Sequence, residues 1–127
     1  MKKPVILFDH QTFTNQEFGG ISKYFFALIN TLNEKNLIET KFSFKYHKNH
    51  YLNSLNLNQL SNVGSYNFKG KTRLLKYYNK YVSSWHVNKS EYDILHPTYY
   101  NNYYLKNLKK PCVITVYDMI QIGRAHV

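Results

Sequence analysis

Phe8-Asp9-His10-Gln11 and, after a short polar stretch, Gly19-Gly20-Ile21-Ser22-Lys23-Tyr24-Phe25 set how this chain folds. The apolar run Pro4 to Phe8 enters the stretch and reads as a buried parallel strand. The stretch is left by Ile21, Tyr24, Phe25, Leu28, Ile29 and Leu32, whose spacing puts them on one face of a helix. The order is therefore strand, long loop, paired glycines, helix N-terminus. The first N–H groups of a helix have no internal partner and carry the positive end of its dipole, so this arrangement builds an anion site from backbone. Paired glycines remove the Cβ atoms that hold a phosphate or sugar away. No Gly-x-Gly-x-x-Gly occurs, so this is not a dinucleotide fingerprint, and from the motif alone a generic helix-entry turn stands equally well.

Further along, Phe42, Phe44 and Tyr46 alternate with Lys41, Ser43 and Lys45, which predicts a half-buried strand. His47 to Gly70 is rich in Asn, Ser and Leu and reads as a loop with one short helix, Leu52 to Leu60. Thr72 to Val87 reads as a second amphipathic helix. Leu74, Tyr78, Tyr81 and Trp85 share one face, and Arg73, Lys76 and Lys80 form a stripe roughly opposite. A short strand (Tyr92 to Leu95), a turn at His96-Pro97 and a short helix near Asn102 to Leu108 follow. Cys112 to Tyr117, continuous and rich in Val, Ile and Thr, predicts a central strand. Strands alternating with helices give an α/β class with a doubly wound parallel sheet.

In such a sheet ligands bind beyond the carboxyl ends of the strands. Asp9-His10-Gln11, His96-Pro97-Thr98-Tyr99-Tyr100 and Tyr117-Asp118 each follow an apolar strand, so all three motifs are expected to meet on one edge. His10 and His96 each read either as cleft groups or as hydrogen-bonded structural histidines. The tyrosines at 99, 100, 103 and 104 suit stacking on a sugar ring or packing of the short helix. Asp118 is the favoured carboxylate, with capping of the next turn as its structural alternative.

The chain has 127 residues, enough for one domain with a core, a net charge of +10 and a pI of about 9.6. That charge fits an AT-rich coding sequence, and equally an attraction to phosphate-rich partners or an anionic membrane surface. The stripe Arg73, Lys76, Lys80 is accordingly either a solvated face or a peripheral membrane contact. The one cysteine, Cys112, excludes an internal disulfide and a cysteine-rich zinc site, and its apolar setting suggests a buried thiol. No credible metal-ligand cluster is seen. No apolar run approaches the roughly 18 residues that span a bilayer. The run after Lys2 and Lys3 is short and breaks at Asp9, unlike a signal peptide. The expected location is cytoplasmic, with peripheral attachment at the inner leaflet left open.

The pattern FDHQTF…Q-x-FGGISKYFFALI, with DILHPTYYNNYYLKNLKKP and CVITVYDMI further on, resembles the bacterial group 1 (family 4) glycosyltransferases, whose opening runs close to YDHQ-x-F…YGGISRYF. The resemblance covers most of the chain up to Ile120 and is weakest from His47 to Gly70. It implies a Rossmann-like parallel sheet flanked by helices, the incomplete N-terminal half of a GT-B architecture. Residues 1–120 would be the acceptor-binding domain, and the donor-binding domain with its paired glutamates would be absent. The implied activity is transfer of a sugar from a nucleotide-sugar donor to a glycan or lipid-linked acceptor in cell-surface polysaccharide synthesis. Stereochemistry would be retaining, no metal would be needed, and this fragment alone would be inactive. Gly19, Gly20, Ile21 and Lys23 would form the loop near the donor diphosphate and acceptor. Lys23 stands where the family has Arg, keeping the charge without the bidentate fork. His10, Gln11, His96, Thr98 and Tyr99 would line the acceptor cleft. Asp118 would be catalytic, with Tyr117 replacing the family's histidine.

Two other readings stand beside this one. A stand-alone sugar-phosphate or nucleotide-binding module shares the fold. A basic, aromatic nucleic-acid binder fits less well, because the tyrosines follow helical spacing and no standard motif appears. Finally, Ile122 to Val127 can be back-translated to a widely used sequencing adapter, so Gln121 to Val127 are expected not to be native protein.

Overall fold

The computed structural model describes residues 3–15, 18–55, 60–64 and 69–116. A three-stranded parallel sheet lies at its centre, in the order β2-β1-β5: β1 is Val5–Phe8, β2 Glu39–Phe42 and β5 Ile94–His96. Three α-helices accompany it: α1 (Gln11–Asn15), α2 (Gly20–Lys35) and α3 (Lys71–Lys89). A second, two-stranded parallel sheet pairs β3 (Tyr46–His47) with β4 (Ser61–Asn62). A 3-10 turn covers Tyr51–Leu55.

Strand alternation explains the layering. Ile6 and Phe8 point to one face, where they pack with Phe25 and Ile29 of α2 and with Phe13, Phe42, Phe44 and Leu52. Val5 and Leu7 point to the other, where they meet Val87 of α3, Tyr92, Leu95 and Tyr104. Both faces of β1 are therefore covered, as its near-continuous apolar sequence anticipates. α2 forms where its spacing predicts, burying Phe25 and Ile29 but leaving Tyr24 of the expected apolar face exposed, and ends at Asn36, whose left-handed backbone (φ 55°) returns its N–H to the Leu32 carbonyl.

Several local expectations need correction. The strand expected over Phe42 to Tyr46 ends at Phe42; Ser43 turns inward to bond α3, and pairing resumes at Tyr46 in the second sheet. In place of a helix over Leu52 to Leu60 there is the short 3-10 turn, with residues 56–59 outside the described set. Asn102 to Leu108 forms successive i→i+3 turns rather than an α-helix. Cys112 makes only an isolated parallel bridge to Leu95, and Val113, Ile114 and Val116 are exposed, so the described part of the expected central strand is not one. Among the described residues that segment is bridged to β5 alone.

α3 differs most. Its apolar face, Leu74, Tyr78, Tyr81 and Trp85, is exposed, and the helix instead buries Leu75, Asn79, Ser83 and Val87. Asn79 donates to Thr14 Oγ1 and to the Tyr46 carbonyl, and Ser83 Oγ lies 2.7 Å from Ser43 Oγ. A polar seam thus docks the middle of the helix where a hydrophobic stripe was expected.

Burial of histidine makes the fold acid-sensitive. His47 is 2 % exposed, and its Nδ1 accepts the Asn49 N–H at 3.0 Å, which requires that nitrogen to be unprotonated. Burial pushes its pKa down to about 4 from 6.5. The folded value lies below the unfolded one, so the stabilisation is present above pH 6.5 and is lost as pH falls toward 4. The full window is worth about 3 kcal/mol at roughly 1.4 kcal/mol per unit. Burial shifts His10 and His96 in the same direction. Urea midpoints should fall steeply between neutral and mildly acid pH, and His47→Gln should flatten that slope; an unchanged slope in the variant would refute the assignment.

Candidate functional site

The site forms where β1 and β5 end side by side. Both strands run in the same direction, so their carboxyl ends release Asp9-His10-Gln11 and Pro97-Thr98-Tyr99 on the same edge. β1 is the central strand, with the chain passing from it to β2 on one side and to β5 on the other. This is the topological switch point at which open α/β sheets hold ligands.

Asp9 ties the two segments together. It is fully buried, and its Oδ1 accepts the Thr98 N–H at 2.8 Å and the Thr98 hydroxyl at 2.7 Å. Its Oδ2 accepts the Gln11 side-chain amide at 2.8 Å and the Tyr103 hydroxyl at 2.9 Å. Thr98 Oγ1 in turn accepts the Thr12 N–H at 3.0 Å, fixing the first turn of α1. Gln11 uses its amide as a second backbone: Nε2 donates to the Asn101 carbonyl and Oε1 accepts the Asn101 N–H, both at 2.9 Å. Burial and the Asp9 carboxylate raise the Tyr103 pKa, so the phenol stays a donor.

His10 lies against this hub. Its Nδ1 is 2.8 Å from Ser83 Oγ, and its ring packs 5.3 Å from that of Tyr103. Burial lowers its pKa, the Asp9 carboxylate opposes that shift, and Lys80 adds to it. The neutral imidazole is therefore favoured. A cleft of about 200 Å³ opens here, lined by His10, Gln11, Asn15, Lys76, Lys80, Asn101 and Tyr103. Amides, a phenol, an imidazole and ammonium groups make a lining suited to a hydroxyl-rich or anionic ligand.

The residues expected at the site are distributed unevenly. His10 and Gln11 line the cleft, and Thr98 sits directly behind it on Asp9. Tyr99 is half-buried, with its ring 5.1 Å from that of Tyr100. His96 turns away into the core, 5.4 Å from the Phe8 ring and 5.2 Å from the Phe25 ring, with Nε2 2.8 Å from Thr115 Oγ1. Its position on the strand itself, alternating with Leu95, dictates that direction. Gly19, Gly20, Ile21 and Lys23 form the start of α2 and do not line the cleft. Ser22 Oγ donates to the Gly19 carbonyl at 2.8 Å, the Lys23 N–H donates to the same carbonyl at 3.1 Å, and the N-cap residue, Gly19, brings no side chain to the helix start. Tyr117 and Asp118 lie outside the described residues.

Asp9, Asn101 and Ser83 were not among the expected site residues, and Tyr103, one of the tyrosines expected to stack on a sugar or pack the short helix, lines the cleft and bonds Asp9. Asp9 stood in the quoted motif, but nothing local reveals that its partners lie 89 and 94 residues away. Among the described residues no group of His, Cys, Asp and Glu is placed to hold a metal. Cys112 is half-buried, and burial raises its pKa, which leaves an unreactive thiol. No family model, curated protein or solved structure matches the chain.

At the α2 N-terminus, a Cβ built on Gly20 meets nothing within 4 Å. Its glycine is therefore not demanded by packing around that Cβ position. Gly20→Ala should raise stability by about 0.4–1 kcal/mol through the unfolded state, read from the urea midpoint. A loss of stability would show that the backbone there needs glycine.

Proposed function

We propose that this chain is a Rossmann-like, acceptor-side domain of a GT-B glycosyltransferase that moves a sugar from a nucleotide-sugar donor to a glycan or lipid-linked acceptor. The observation that carries the reading is the joining of Asp9-His10-Gln11 to Thr98 and Asn101 at the adjacent carboxyl ends of β1 and β5, beside a polar cleft. The same segments carry the resemblance to group 1 glycosyltransferases. In this reading the cleft amides, Tyr103 and His10 receive the acceptor's hydroxyls. Asp9 is a positioning residue, because its oxygens are occupied by protein donors. In this reading the start of α2 at Gly20, which carries the positive end of the helix dipole, is turned toward the developing charge of the donor diphosphate, the kind of stabilisation that lowers the barrier to loss of a phosphate leaving group.

The test is to amplify the gene outward from the codons for Cys112 to Asp118. A frame that continues into a second Rossmann-like domain with paired glutamates supports the reading. A frame that stops at Val127 overturns it in favour of a sugar-phosphate-binding module. In parallel, titrating the chain with inorganic pyrophosphate should move the amide resonances of Gly20 to Lys23, and the Gly20→Ala variant should bind more weakly. No shift there would remove the diphosphate role of the loop.

A further inference from the structure

We propose that the outward face of α3 is a docking surface for an anionic lipid bilayer, with the helix lying in the plane of the headgroups. This goes beyond the glycosyl-transfer reading and does not depend on it. Leu74, Tyr77, Tyr78, Tyr81 and Trp85 recur at helical spacing and form one continuous outer stripe. Tyr77 is 68 % exposed, Tyr81 77 %, Leu74 60 % and Trp85 53 %. Single exposed apolar residues are ordinary on protein surfaces, but a contiguous row of large ones marks an interaction face. The helix is held to the body through Leu75, Asn79, Ser83 and Val87, so the stripe is left over after the fold has satisfied itself.

The composition of the stripe selects the occupant. Tyrosine and tryptophan combine an apolar body with a polar tip, which suits the boundary between headgroup and acyl chain. Arg73 and Lys80 are exposed and flank the stripe at Tyr77, four positions before it and three after it, Lys76 and Lys80 also reach the cleft of His10, and α3 contains no acidic residue along its 19 positions. The ion pair found among the described residues, Lys89–Glu91, joins the last residue of α3 to the loop beyond it and leaves those three cations uncompensated. Basic residues near an anionic surface draw the protein to it, and salt weakens that attraction. A second copy of this chain is disfavoured by the net charge of +10 on each. A nucleic-acid strand would meet the same cations, but the rings stand on a convex helix and offer no groove for a backbone to follow. No described helix is long and apolar enough to cross a membrane, so the contact is one of lying on the surface.

The chain carries one tryptophan, Trp85, which supplies the reporter. Its emission should be measured with vesicles of phosphatidylcholine alone and with vesicles in which about a third of the lipid is phosphatidylglycerol. The expected result is a blue shift with the anionic vesicles only, quenching by lipids brominated along the acyl chain, and reversal by added salt. Tyr77→Ser combined with Tyr81→Ser should weaken vesicle binding about tenfold or more while leaving the thermal melt unchanged, since both side chains are exposed. A folded protein whose Trp85 emission ignores anionic vesicles overturns the proposal. So does an equal response to neutral vesicles, a shift produced by a single-stranded oligonucleotide but not by vesicles, or a dimer that covers Trp85 in sedimentation experiments.

Discussion

Asp9→Ala should cost about 3–5 kcal/mol of folding stability, a large share of the 5–15 kcal/mol typical of a domain. The substitution leaves the Thr98 N–H and hydroxyl, the Gln11 amide and the Tyr103 hydroxyl without their acceptor. Asp9 is fully buried and Thr98 is 1 % exposed, so the two Thr98 donors are out of reach of water in the folded state, while Gln11 and Tyr103 border the cleft. Losing one partner of a buried polar group costs its full desolvation, whereas losing both costs much less. Adding Tyr103→Phe to Asp9→Ala should therefore restore part of the loss. Urea unfolding of the two variants beside the parent measures both effects. An Asp9→Ala change costing under about 1 kcal/mol would mean that the network around it is not what joins the two strand ends.

The second large effect concerns two neighbouring aromatic residues. Phe25→Ala should cost about 3–5 kcal/mol, and Tyr24→Ala no more than about 0.5 kcal/mol. Phe25 is fully buried, with its ring 6.3 Å from Phe8 and 5.2 Å from His96. Tyr24 is 46 % exposed. Removing Phe25 empties the space between α2 and the sheet on the face that also carries Phe13 and Phe42. Comparable losses from the two variants would place α2 in a different rotation about its axis.

The elements that the sequence foretold well are those where hydrophobic periodicity and burial coincide. β1 and α2 show this: Val5 to Phe8 are apolar because both faces of the strand are covered, and Phe25 and Ile29 fall where the period puts them. α3 was misleading because the two parted company. Asn79 and Ser83 dock it through hydrogen bonds to Thr14, Tyr46 and Ser43, while its aromatic residues face outward. Periodicity finds an apolar face but does not say whether that face is the one the fold uses. His96 shows the converse limit. A histidine before proline looks like a cleft residue, but strand alternation sends its ring between Phe8 and Phe25. The convergence of the first two polar motifs was readable from strand order alone. The carboxylate joining them was not, since hydrogen bonds between residues so far apart in the chain leave no local pattern.

That separation also governs when the cleft can appear during folding. The Asp9 hub spans 89 residues to Thr98 and 94 to Tyr103, and α2, β2 and α3 all lie inside the loop it closes. Closing so long a loop is entropically costly until other contacts have shortened it, and the β1–β5 pairing from Ile6–Ile94 to Phe8–His96 supplies that shortening. The hub therefore belongs to the late, native-like side of the folding barrier. Changes at Asp9 should act chiefly on the rate of unfolding, and the sheet and its helices can assemble before the cleft has its final shape.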